Sequence, residues 1–206
     1  MTFNQLNKNR SLDFIHQASD SSVESIEVKD TVYLDFLRSF NGGYFFDNAL
    51  HIFGIAKGTL YHDLNHINNL FQILFGDLAK DIWFFAEDVF GNLYGFYGGK
   101  VILFNLETSD KEIIANNFAG WLNEIENDLD YYTGQSLAKE LNKEDKFQLA
   151  YGKRLAAKYP FVLGGEYAIE NLVLKDSENN IDYNSSIAKQ IVNLPDGSSI
   201  KLDILK

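Results

Sequence analysis

The stretch from Asp81 to Leu106 reads DIWFFAEDVFGNLYGFYGGKVILFNL. Three runs within it, Asp81 to Glu87, Asn92 to Tyr97 and Lys100 to Leu106, are rich in aromatic and β-branched residues, which fill the half-buried pleated surface of a strand. Gly98-Gly99 separates the second run from the third. Two glycines supply the positive φ angles that a two-residue hairpin turn needs, so the spacing predicts an antiparallel meander. Glu87-Asp88 ends the first strand, and its two carboxylates point to opposite faces, so they do not form an acid/base dyad within one pocket.

Helices flank this meander. Tyr33, Phe36, Leu37 and Phe40 recur at i, i+3, i+4 and i+7 behind Asp30, a capping residue, and Asn41-Gly42-Gly43 stops the run. Short strands are expected over Tyr44 to Phe46 and Leu50 to Ala56, and a helix over Leu60 to Phe75. Ser109 and Glu112 have capping-box spacing, and the stripe of Phe118, Trp121, Leu122, Ile125 and Leu129 marks another helix ending near Gly134. Further on, the pattern predicts a helix over Ser136 to Asn142, a strand over Tyr167 to Lys175 and a helix over Ser185 to Val192. Pro195-Asp196-Gly197 then turns into a final strand in which Ile200, Leu202 and Ile204 alternate with polar residues. Residues 1–30 form a polar N-terminal segment with a short helix around Leu12 to Gln17. Residues 31–206 are expected to form one α+β domain, with a mainly antiparallel sheet, packed helices and a C-terminal strand-helix-strand extension.

The chain has 206 residues and carries 18 Lys and Arg against 29 Asp and Glu, a formal net charge of −11. That balance argues against a nucleic-acid binder driven by phosphate neutralisation. With no cysteine, the chain has no disulfide or thiol nucleophile. No charge-free run approaches a membrane span and no apolar run opens the chain, so a cytoplasmic location is expected.

His62-Asp63-Leu64-Asn65-His66 places two histidines at i and i+4, the spacing with which one helix face can share zinc. The glutamate that such chemistry wants after the first histidine is replaced by Asp63. His51 lies on another element, and a carboxylate such as Glu87 has no assigned place. Two solvated histidines are the simpler reading. Gly98-Gly99-Lys100 lacks the spacing of a phosphate loop, and no serine sits in a nucleophile elbow. No catalytic, cofactor or metal residue is therefore assigned. Glu124, Glu126, Asp128 and Asp130, continued by Glu140, Glu144 and Asp145, form either a solvated flank or a patch that steers a basic partner.

Several motifs together resemble the SUKH superfamily. Tyr33-Leu34-Asp35-Phe36-Leu37-Arg38-Ser39-Phe40-Asn41-Gly42-Gly43 is similar to its early helix, Ile82 to Asp88 with Gly91-Asn92-Leu93-Tyr94 to its central strand, turn and strand, and Phe118-Ala119-Gly120-Trp121-Leu122 to the following helix. Pro160 to Tyr167, Glu170-Asn171-Leu172, Ile187-Ala188-Lys189-Gln190-Ile191 and Leu194-Pro195-Asp196-Gly197 resemble the tail of one branch. The chain departs from the pattern at Val28-Lys29-Asp30-Thr31, where the family often has Leu-Pro. The resemblance implies a sheet that grips another protein without catalysis. It implies an immunity protein that neutralises a cognate toxin, often a nuclease and so often basic. Some superfamily members are instead intracellular scaffolds or regulators of cell-wall assembly. An acidic, aromatic-lined surface near the sheet is expected to take the partner, with Asp47, Glu87, Asp88 and Tyr94 as its members.

Overall fold

The computed structural model describes residues 1–12, 18–56, 60–143, 149–195 and 197–200. Its elements, in chain order, are α1 (Phe3–Lys8), β1 (Arg10–Leu12), α2 (Asp20–Glu24), α3 (Thr31–Phe40), β2 (Gly43–Phe45), β3 (Leu50–Ile52), α4 (Leu64–Phe75), β4 (Trp83–Glu87), β5 (Leu93–Tyr97), β6 (Lys100–Phe104), β7 (Lys111–Ala115), α5 (Phe118–Asn127), α6 (Leu129–Thr133), α7 (Gln135–Leu141), β8 (Lys153–Ala157), β9 (Leu172–Asp176) and α8 (Ser177–Ile191). Strands β1 to β7 form one sheet in sequence order, every pair antiparallel, and β8 and β9 form a separate hairpin. The fold is α+β. The expected three-stranded meander is the centre of this larger one, with Tyr97 paired to Lys100 across Gly98 (φ 57°) and Gly99 (φ 77°).

The register sorts the side chains onto two faces. Tyr33 of α3 and Phe118 and Trp121 of α5 cover one face. There the Trp121 ring meets Phe85 edge-on at 4.9 Å and Tyr94 at 5.2 Å, and Tyr33 lies 5.2 Å from Phe96. Helix α4 covers the other face, placing Phe71 4.8 Å from Phe84 and Phe75 5.4 Å from Phe104. Asn68, buried in α4, exchanges hydrogen bonds with the backbone of Phe84, donating to its carbonyl at 2.9 Å and accepting from its N–H at 2.8 Å. These bonds fall where the β4–β5 register slips by one residue. Asp30 caps α3 by accepting from the Tyr33 N–H at 3.0 Å, and its other oxygen accepts from the Phe118 N–H at 2.7 Å, so one carboxylate fixes the starts of two helices.

Several expectations need correction. Ser109 and Glu112 do not open a helix. Asn105 Oδ1 accepts the N–H groups of Glu107 and Thr108, the Ser109 N–H bonds back to the Asn105 carbonyl, and Ser109 itself sits at φ 64°, so the chain reverses into β7. Strand β8 was not expected, and α8 begins at Ser177 rather than Ser185, because its buried side is partly polar: Asn180 donates to the Phe90 carbonyl at 3.0 Å and Asn184 donates to Asn180 at 2.9 Å. Residues 169–171 form a 3₁₀ turn before β9. The N-terminal segment joins the main sheet through β1, and Leu6 and Val23 are fully buried in its core. The helix expected around Leu12 to Gln17 and the strand expected through Leu202 and Ile204 fall largely or wholly outside the described residues.

Candidate functional site

Three adjacent cross-strand positions on the α4 side of the sheet carry polar side chains: Tyr44 on β2 pairs with His51 on β3, and His51 pairs with Glu87 on β4. The Tyr44 and His51 rings stack at 4.0 Å, and His51 Nδ1 donates to Glu87 Oε1 at 2.9 Å. That bond leaves His51 Nε2 as acceptor for His62 Nδ1–H at 2.8 Å, and the Tyr61 hydroxyl donates to Glu87 Oε2. Arg154 of β8 closes the row from above, with Nε 2.8 Å from Glu87 Oε1 and its guanidinium carbon 4.9 Å from the Tyr44 ring centre. Arg154 Nη1 also donates to the Asn48 carbonyl at 3.2 Å, and the Gly152 N–H donates to the Tyr44 hydroxyl at 3.0 Å. Gly54 makes the packing possible, since a Cβ there would lie 2.1 Å from the Asn41 carbonyl oxygen and 2.8 Å from His62 Nε2.

His51, His62, Glu87 and Arg154 are all fully buried. Burial, aided by the neighbouring charge of Arg154, holds the His51 imidazole well below the usual histidine range. Burial, with His51 beside it, lowers His62 to about 2. Both rings are therefore neutral. Burial raises the Glu87 carboxyl against the opposing pull of Arg154. The His51 and Glu87 considered for a metal site do come together with His62, but the two rings and the carboxylate spend their polar atoms on one another. His66 lies apart, 2.9 Å from Glu178 on α8, and Asp63 is the N-cap of α4. His62 is buried rather than solvated. Among the described residues no group of three or more His, Cys, Asp or Glu side chains is arranged to hold a metal ion.

This network acts as a clasp. An ion pair withdrawn from water costs desolvation that only close, well-bonded geometry offsets, so it fixes where the parts sit more than it adds stability. Here it joins the β8–β9 hairpin to the seven-stranded sheet. A second tie lies nearby: both Glu107 oxygens, from the β6–β7 turn, accept the Phe161 and Val162 N–H groups at 3.1 and 2.7 Å, and burial raises that carboxyl. Beside it a cleft of about 270 Å³ is lined by Phe90, Phe161 and Tyr167, whose rings touch one another at 5.5 to 5.8 Å.

Three of the four expected partner residues are withdrawn from the surface. Glu87 is bound in the clasp. Asp88 is buried in the β4–β5 turn, where it accepts from the Phe90 and Asn92 N–H groups at 2.8 and 2.9 Å, and burial raises it to about 6. Tyr94 is fully buried beneath Trp121, and its hydroxyl donates to the Tyr132 carbonyl. None of the three can meet a partner in this conformation. An apolar run ending in two acids reads as a strand leading to a wet loop, and nothing local announces a cation arriving from Arg154, 67 residues later.

Asp47 is exposed, at φ 57°, and accepts from Gln135 Nε2 at 2.8 Å. Gln135 and Ser136 start α7, and the Ser136 N–H donates to Asp130 at 2.8 Å, so Asp47 and Asp130 flank the same helix end. From Asp130 the acidic surface continues past Tyr131, 66% exposed, to Tyr132. Burial raises the Tyr132 hydroxyl, and the nearby carboxylates of Glu124, Glu112 and Asp128 push it further. Asp47, Glu112, Glu124, Asp128 and Asp130 thus form an acidic ridge bearing an exposed tyrosine, carried by the β2–β3 turn, β7, α5 and α6. Glu144 and Asp145 lie outside the described residues.

No helix among the described residues is long and apolar enough to cross a membrane. Comparison with curated proteins gives no match. The crystal structure of Atu4351 from Agrobacterium tumefaciens shares the fold at a TM-score of 0.59 and 14% identity, over 89% of this chain and 88% of that one. Residues 30–124 match the model of the SMI1 / KNR4 family (SUKH-1), spanning α3, the strands from β2 to β7 and the Trp121 end of α5. That region holds the centre of the sheet and both helices on its aromatic face, so the similarity to the SMI1 / KNR4 family (SUKH-1) covers the core of the fold.

Proposed function

We propose that the protein is an immunity protein that binds a cognate bacterial toxin and blocks it by contact, acting in the cytoplasm without catalysis. The observation that carries this reading is the family match over residues 30–124. Two features of the molecule support it. His51, His62 and Glu87, which come together in the sheet, are sealed in the clasp and bonded to one another. The surface instead presents the acidic ridge, which suits a basic partner such as a nuclease domain. A net charge of −11 draws such a partner in from a distance, while each exposed acid alone is worth little because water and salt screen it.

The test is co-expression with the toxin encoded beside the gene. Protected cells and a purified complex support the reading. A folded protein that neither binds nor protects rejects it, and binding to a cell-wall assembly protein instead would make it a scaffold or regulator.

A further inference from the structure

At the end of the sheet marked by the Gly98-Gly99 turn, a cleft of about 500 Å³ opens between the chain leading into α3, the start of β4 and the segment after β7. One wall is the cross-strand pair Trp83 and Phe96, both partly exposed. Glu27 and Asp81, both exposed, stand on its rim, and Asp30 lies deeper, its oxygens already engaged by the Tyr33 and Phe118 N–H groups. Neither Glu27 nor Asp81 has a hydrogen-bond or ion-pair partner among the described residues. Lys29 is the one cation among the lining residues, so the cleft has an excess of two negative charges. At Gly98 and Gly99 a Cβ would meet nothing within 4 Å, which leaves that lip open.

We propose that this cleft receives an arginine side chain presented by a protein partner. A guanidinium is planar and weakly hydrated; it stacks on an aromatic face and bonds carboxylates at its edge through a fork of N–H donors. The cleft supplies both recognition elements, an aromatic wall and two unengaged carboxylates, with the Asn116 amide beside them. A lysine ammonium would meet the charge but not the plane. The site shares no residue with the acidic ridge, and it accepts a basic protein whether or not that protein is a toxin.

The probe is the tripeptide acetyl-Gly-Arg-Gly-amide, titrated into the isotopically labelled full chain and followed by heteronuclear NMR at fixed ionic strength. The expected result is saturable shifts of the Trp83 indole N–H and the Gly98 and Gly99 amides. The citrulline analogue, which keeps the shape and loses the charge, is expected to bind at least ~fivefold more weakly, as is wild-type peptide to the Glu27→Gln/Asp81→Asn double variant. Both substitutions are at exposed positions, and the variant's unchanged spectrum elsewhere verifies its fold. Equal shifts from both peptides, shifts confined to the ridge, an unaffected double variant, or no saturable shift would each overturn the assignment.

Discussion

Replacing Arg154 with methionine keeps most of the side chain's length and removes the cation that faces Glu87. Losing one partner of a fully buried pair leaves the other charge uncompensated, which typically costs about 3–5 kcal/mol. Arg154→Met is therefore expected to lower unfolding stability by that order in denaturant titration, and adding Glu87→Gln is expected to recover most of the loss. His62 gives a second test through pH. Its folded-state value of about 2 lies far below the ordinary 6.5, so the unfolded chain takes up a proton that the folded chain refuses. Its contribution is complete above pH 6.5 and falls by about 1.4 kcal/mol per pH unit as the solution is acidified through that window. His62→Gln is expected to remove this one-proton slope between pH 6 and pH 4.5, whatever its cost at pH 7. An unchanged slope would show that the ring is not held neutral. Asp88, raised to about 6, acts in the opposite sense, so the comparison must be made between variant and wild type rather than read from one curve.

At the scale of elements, what was legible was what a period can carry. The stripe through Phe118, Trp121 and Ile125 and the aromatic and β-branched run after Gly99 each announce a buried element, and both are where expected. Trp121 is fully buried against Phe85 and Tyr94, so Trp121→Ala is expected to cost ~3–5 kcal/mol in an unfolding titration. A loss below ~1 kcal/mol would mean that the aromatic face is not the core. The misreadings share one physical cause, which is that their anchors are polar or distant. Strand β7 is an edge strand with Ile113 exposed, so no apolar pattern marks it, and the turn before it is built from Asn105 and Ser109. Helix α8 buries Asn180 and Asn184, which hydropathy reads as surface. The clasp joins residues of β2, β3, β4 and β8, and only the fold reveals that Glu87 is an internal acid rather than a surface one.

For the whole molecule, the balance of charge was readable from composition, but its placement was not. The acids gather along β7, α5 and α6, leaving Asp47 as the one expected partner residue still at the surface. Charge spread over a ridge acts mainly on encounter, whereas aromatic anchors such as Tyr131 act on escape. Reversing Glu112 and Glu124 to Lys is therefore expected to slow association with a basic toxin severalfold at low salt and to change dissociation less, measured by surface-immobilised kinetics. The same loss of on-rate is expected when salt is raised for the wild type. A salt-independent on-rate would remove the ridge from the account.

The central claim, that this chain neutralises a toxin by binding it, is tested most directly by titrating the purified protein into the purified toxin domain encoded beside it and reading the toxin's activity. The account predicts a linear fall to complete inhibition at one equivalent. Full activity in the presence of a large excess of folded protein would contradict it.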